Sequence, residues 1–181
     1  VEPVIRGVFE EFGNGRRVTP TPFPRIAYDE ALLRYGSDKP DLRNPIRIAD
    51  LTSLFATSGF KAFASAIAGG AVVRGIPAPG AARWSRSQYD KLNEWGKELG
   101  LPGLGYIVLA DGQARGPIAK FLQEPELAAL RDTAGLADGD AVFFVCQERT
   151  GAERAAGQVR TRLGTELGLI EAGGRADVDF V

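Results

Sequence analysis

The chain has 181 residues, 44% of them apolar, which is enough to bury the core of one domain, or of one domain plus a flanking piece of another. Charged residues make up 25% and the formal net charge is -1, so the chain is neither a disordered polar segment nor broadly basic like a nucleic-acid binder. With no histidine and one cysteine, it has no His-based triad, no usual zinc site and no intrachain disulfide.

Methionine is absent and the chain opens at Val1 in mid-helix fashion, as expected of a fragment or a processed product. No apolar run approaches membrane-spanning length and no signal peptide is visible. Cys146 lies inside an apolar run and reads as a buried, inert thiol, which fits a reducing compartment.

Val4, Ile5, Val8, Phe9 and Phe12 share one helical face, and Gly13 offers a stop. Thr19-Pro20-Thr21-Pro22-Phe23-Pro24 excludes a helix and reads as an extended connector. Tyr28 to Tyr35 reads as a short helix ended by Gly36. Pro40 and Pro45 bracket an irregular stretch, and a domain boundary is expected near Asn44.

Beyond it, Ile46 and Ile48 alternate with polar neighbours as in a strand, and Ala71 to Ile76 is a second strand candidate before Pro77. Ser85 and Gln88 have capping-box spacing at the start of a helix whose apolar face is Tyr89, Leu92, Trp95 and Leu99. Leu104 to Leu109 reads as a strand, Asp111-Gly112 as a turn, and Pro117 to Leu122 as a short apolar piece. Pro125 opens a helix with Leu127, Leu130 and Ala134 on its apolar face, ended by Gly135. Ala141 to Cys146 is the best strand in the chain. Thr150 and Glu153 give a second capping-box spacing, before a stripe of Ala156, Val159, Leu163 and Leu167 that Gly168 ends. The fold class expected is α+β, a small mixed sheet covered on one side by helices.

Few motifs carry chemistry. Ala68-Gly69-Gly70-Ala71 and Gly103-Leu104-Gly105-Tyr106 complete no phosphate-binding fingerprint, and turns or close packing account for them. Asp138-Gly139-Asp140 reads as the turn into the following strand, since a calcium loop needs further oxygen ligands at alternate positions. No metal site is expected. Trp95 reads as core, and Trp84 as packing or a stacking surface. Arginines outnumber lysines, and Arg suits phosphate forks. The loose clusters Arg83 and Arg86, and Arg154, Arg160 and Arg162, nevertheless read as solvated helix faces. One stretch resists a bland reading: Tyr35-Gly36-Ser37-Asp38-Lys39-Pro40-Asp41-Leu42-Arg43 packs charges, a serine and a proline directly after a helix, as site loops do.

That stretch, with Pro22-Phe23-Pro24-Arg25-Ile26-Ala27-Tyr28 before it, resembles bacterial-type aspartyl-tRNA synthetases of class II. The likeness continues through Phe60-Lys61-Ala62-Phe63, Pro79-Gly80-Ala81, Gly116-Pro117-Ile118-Ala119-Lys120-Phe121-Leu122, Phe143-Phe144 and Glu166-Leu167-Gly168-Leu169, over residues 1 to 171. It implies a partial catalytic-core segment at 1–44, an inserted α+β domain at 45–150 and a helix returning to the core at 151–171. The inserted domain is shared with the B subunit of the tRNA-dependent amidotransferase. A divergent tail follows at 172–181, where Val181 stands in place of the family's proline. Ala27 replaces a hydroxyl found in many relatives, so the helix after it lacks a side-chain cap.

By the same resemblance Asp38 holds the amino group of the substrate aspartate, and Ser37 and Lys39 shape the loop or the local field. The parent would be a cytoplasmic ligase, a homodimer without membrane association, using ATP and Mg2+ to join L-aspartate to tRNA. The family's catalytic arginines and its anticodon-reading barrel lie outside this segment, so the 181 residues alone are expected to be inactive. A second reading is a free-standing tRNA- or protein-binding module derived from a truncated synthetase gene.

Overall fold

A computed structural model of the chain describes residues 1–15 and 17–172. The divergent tail expected at 172–181 therefore lies, from residue 173 onward, outside the described residues. Two helices come first, α1 at Glu2–Phe12 and α2 at Tyr28–Tyr35. The connector between them carries a cis peptide at Thr21-Pro22. The backbone of Gly36 turns left-handed (φ 69) to end α2, donating to Leu32 O at 2.9 Å. Ala27 precedes α2 without a side-chain cap.

The sheet is built from β1 (Ala49–Asp50), β2 (Val72–Ala78), β3 (Gly105–Ala110), β4 (Gln113–Arg115) and β5 (Ala141–Gln147). Their spatial order is β1-β2-β5-β3-β4, and every pairing is antiparallel. The α+β class stands, but the sheet is not mixed: no two hydrogen-bonded neighbours run parallel, and β2 and β3, which the helix Arg86–Glu98 connects, are parallel only across the intervening β5. β2 and β5 pair along their full lengths, Val72 opposite Gln147 through to Ala78 opposite Ala141. β2 thus runs through Pro77. The proline is tolerated because β1 pairs only with Arg74 and Gly75, leaving β2 an edge beyond them. The strand expected at Ile46 and Ile48 is shifted. Both side chains are buried, but the pairing begins only at Ala49.

Helices cover both faces of this sheet, not one. β5 explains why: Ala141, Phe143 and Val145 enter one core, while Val142 and Phe144 enter the other. A strand apolar on both sides needs cover on both. The first core adds α5 (Arg86–Glu98), through Tyr89 and Leu92, and α7 (Arg149–Glu166), through Ala152, Ala156, Val159 and Leu163. The second core adds Phe55 of α3 (Thr52–Ala56), Phe63 of α4 (Lys61–Ala68) and Leu130 and Ala134 of α6 (Glu124–Ala134). Each fully buried Phe or Leu there stabilises the fold by about 1.5–3 kcal/mol. A short α8 (Leu169–Ala172) follows α7.

Local signals set the element ends. Ser85 N donates to Gln88 Oε1 at 2.9 Å, as its spacing required. Pro125 sits in the first turn of α6, and Gly135 ends it at φ 62. The start of α7 differs from expectation. Glu148, not Thr150, is its N-cap, and its carboxylate accepts from the amides of Thr150 and Gly151. Glu153 cannot serve as the capping partner because it turns inward towards Arg74.

Candidate functional site

The loop singled out in the sequence lies where α2 meets α7. Its first residue makes the closest approach. A Cβ on Gly36 would lie 2.4 Å from the backbone of Gly157, and a Cβ on Gly157 would lie 2.5 Å from Gly36 O. Two glycines are therefore required for the two backbones to touch. On α7 the approach is made over the backbone of Glu153 and Gly157.

From there the loop runs outward. Ser37 Oγ accepts from Lys39 N at 3.0 Å, which tightens the turn around Asp38. Asp38 and Lys39 are exposed, and Lys39 Nζ donates to Asp38 Oδ2 at 2.6 Å. That hydrogen bond holds the Asp38 carboxyl below its ordinary value, so it is ionised near neutral pH. Asp41 then gathers Arg43, accepting from its Nε at 2.8 Å and its Nη2 at 2.7 Å.

The loop is tied down again by Arg160, one turn along α7 from Gly157. This residue is 3% exposed, not part of a solvated face as the sequence suggested. Its Nη2 donates to Asp41 O (2.9 Å) and Asn44 O (2.7 Å), and its Nε donates to Ile46 O (2.7 Å). The guanidinium also lies 5.0 Å from the centre of the Tyr35 ring. Asn44 answers with its side chain, donating to Arg160 O at 3.0 Å and accepting from Ile46 N at 3.1 Å. The sequence grouped Arg160 with Arg154 and Arg162 but did not link it to the loop, because a cation within a helical stripe looks the same whether it faces water or carbonyls.

An open groove of about 790 Å³ lies beside the loop. Ser37, Lys39, Trp95, Arg154 and Arg162 are among its lining residues. Arg162 lies 4.7 Å from the Trp95 ring centre and pairs with Glu166 at 2.7 Å. Trp95 is thus half-buried against the core with one face over the groove. Trp84 packs edge-on against Tyr89 at 5.8 Å. A second cavity of about 730 Å³ has Phe60, Phe63, Tyr106 and Cys146 in its wall. Cys146 is half-buried rather than fully buried, and burial pushes its thiol pKa up, which keeps it protonated and unreactive.

Asp138 and Asp140 are turn residues. Asp138 accepts from the amides of Asp111 and Gly112, and Asp140 accepts from Gly80 and Ala137. Among the described residues no cluster of carboxylates or cysteine has the makings of a metal site, and no helix is long and apolar enough to cross a membrane.

Comparison with known proteins extends this picture. The GAD domain family matches residues 63–156. The chain is 57% identical over 171 residues to the aspartate–tRNA(Asp/Asn) ligase of Acidiphilium cryptum, covering 94% of this chain and 29% of that protein. The protein of the same name from Paramagnetospirillum magneticum is 57% identical over 171 residues, with 94% and 20% covered. That from Zymomonas mobilis is 53% identical over 171 residues, with 94% and 29% covered. The chain thus spans less than a third of the length of these curated relatives.

Proposed function

Because the chain belongs to the GAD domain family, we propose that it is the part of an aspartate–tRNA ligase that joins an inserted domain to the catalytic core. One observation carries this reading. The likeness to those ligases extends over 171 residues, well beyond the matched 63–156, and takes in the Gly36–Arg43 loop. A domain borrowed into an unrelated host would lose its likeness at its own edges.

Residues 1–44 form the core segment in this reading, 45–150 the inserted domain, and 151–171 the helix leading back. The parent activates L-aspartate with ATP and Mg2+ and passes it to tRNA. The relatives' names point to the tRNAs for both aspartate and asparagine. A homodimeric, cytoplasmic parent follows from the same resemblance. α1 supports the idea of a larger parent, since its apolar side is open: Val4 is 70% exposed and Phe12 71%.

Asp38 is the residue assigned to substrate. Its ionised carboxylate already receives one ammonium, that of Lys39. The α-ammonium of aspartate would take that place as a charge-assisted donor, with Lys39 swinging aside towards the substrate's negative charge. Ser37 keeps the turn in shape. The phosphoryl chemistry needs cationic groups that the relatives' remaining length would supply.

Aspartate-dependent exchange of pyrophosphate into ATP tests the proposal. The full-length parent is expected to be active, its Asp38→Ala variant to lose aspartate saturation, and residues 1–181 to be silent. Exchange by residues 1–181 alone would sink it. A second reading, a free-standing tRNA- or protein-binding module, is favoured by one feature: the sheet's two faces are covered by its own helices. An immunoblot of source cells decides between them, a band near 19.3 kDa meaning a module and a much heavier band a synthetase.

A further inference from the structure

We infer that Arg160 and Gly157 are positioning residues for the aspartate site, holding the Ser37–Pro40 turn, and Asp38 within it, at a fixed place on α7. The inference rests on the reading of Asp38 given above and adds two residues remote in sequence from the loop.

The geometry is that of a turn pinned at both ends. Gly36 enters it in backbone contact with Gly157, with no space for a Cβ on either residue. Asp41 leaves it with its carbonyl held by Arg160 Nη2 at 2.9 Å. Only residues 37–40 lie between the two anchors. Gly157 and Arg160 are three apart on one helix and so share a face. The turn therefore moves with α7 as one body.

α7 is itself fixed to the sheet. Ala152, Ala156, Val159 and Leu163 pack on Phe143 and Val145, and the anchors lie within this stretch. Displacement of α7 along the sheet would carry Asp38 with it. The inserted domain thus acts as part of the mount for the amino-acid pocket, not as an appendage.

Arg160 suits this role because one planar fork reaches three carbonyls at once: Asp41, Asn44 and Ile46. A lysine has the charge but not the fork. Neither Arg160 nor Gly157 need touch substrate, so their loss should move the aspartate response without touching ATP binding. Misplacing a binding group by about 1 Å can cost up to roughly a hundredfold in rate.

The test uses the full-length parent, with pyrophosphate exchange followed as a function of aspartate and, separately, of ATP. Four variants are compared: Arg160→Lys, Gly157→Ala, Asp38→Ala and, as a control at an exposed position of the same helix away from the groove, Arg149→Ala. Arg160→Lys and Gly157→Ala are expected to raise the KM for aspartate about tenfold or more, with the KM for ATP within about twofold. Arg149→Ala should leave both unchanged. Equal rises in both KM values, or a loss of kcat with the aspartate KM unaltered, would overturn the inference and leave Asp38 standing. An unaltered aspartate KM in Asp38→Ala would overturn the site reading and the inference with it.

Where a variant folds poorly in the parent, amide hydrogen exchange on residues 1–181 gives an independent readout. Arg160→Lys should speed exchange in peptides spanning 36–44 while 141–147 keep their protection. Uniform acceleration across both would reduce Arg160 to a general structural residue and overturn the inference.

Discussion

Arg74 on β2 faces Glu153 on α7 across the junction of sheet and helix, 4.0 Å from guanidinium nitrogen to carboxylate oxygen. The Arg74 side chain is 1% exposed. Asp50 on β1 approaches it from the other side, at 2.8 Å. Yet none of the three guanidinium nitrogens finds an aligned acceptor among the described residues. The carboxylates of Asp50 and Glu153 offset the charge of this buried guanidinium, while its poorly aligned N–H groups leave part of the desolvation cost standing.

Removing only the cation should hurt. Arg74→Ala strands Glu153 inside the protein and is expected to lower unfolding free energy by about 3–5 kcal/mol in urea titrations. Replacing both partners, as Arg74→Met with Glu153→Leu, is expected to bring stability back to the starting value or above it. A double variant as unstable as the single one would show that the pair contributes more than it costs.

Glu148 begins α7 by accepting two of its free amides. Glu148→Ala should cost about 0.5–2 kcal/mol by the same titration, the range for losing an N-cap. Thr150→Ala should be close to neutral. The reverse ranking would restore Thr150 as the cap.

Tyr89 donates its hydroxyl to Ala81 O at 2.6 Å and stacks on Tyr106 at 4.4 Å. Burial, with a smaller push from Tyr106, raises its pKa to about 12. The fold thus favours the neutral phenol. Its stabilising share is complete below the unfolded value near ~10, and is lost as pH rises from there through the folded value of about 12. Unfolding midpoints measured across that alkaline window should fall in the parent sequence, with a shallower slope in Tyr89→Phe. Equal slopes would remove Tyr89 as the cause.

The open side of α1 makes a solubility prediction. Phe12→Ser in residues 1–181 removes one of its most exposed apolar groups. It should reduce self-association in sedimentation runs while leaving the thermal midpoint within about 0.5 kcal/mol equivalents of the original, as surface changes do.

Most of this architecture was legible because local signals were strong. Gly36 announced the end of α2, Ser85 and Gln88 the start of α5, and the unbroken apolar run at Ala141 the central strand. What escaped had weak local signal. The five residues of α3 are held by Phe55 reaching the core rather than by propensity, and α4 is an Ala-rich run that Gly69 ends but no side-chain cap begins. β4 is polar and exists only through pairing with β3. The same limit governs the site. The charged loop was visible, since charge density after a helix is a local property. The residues that hold it, Gly157 and Arg160, lie well over a hundred positions away, and only the folded chain brings them there.

The strand at the centre of the sheet is also the last to be made. β5 joins β2 to β3 and divides the two cores, yet on a ribosome it emerges after every other strand of the described sheet. Until then the apolar faces of β2 and β3 have no common neighbour, and neither core can close. Folding of this region is therefore weighted towards late, long-range pairing, which slows it and leaves unpaired strand edges exposed during synthesis. α7 follows β5 almost at once, so the sheet, its helical cover and the loop resting on that helix are completed together.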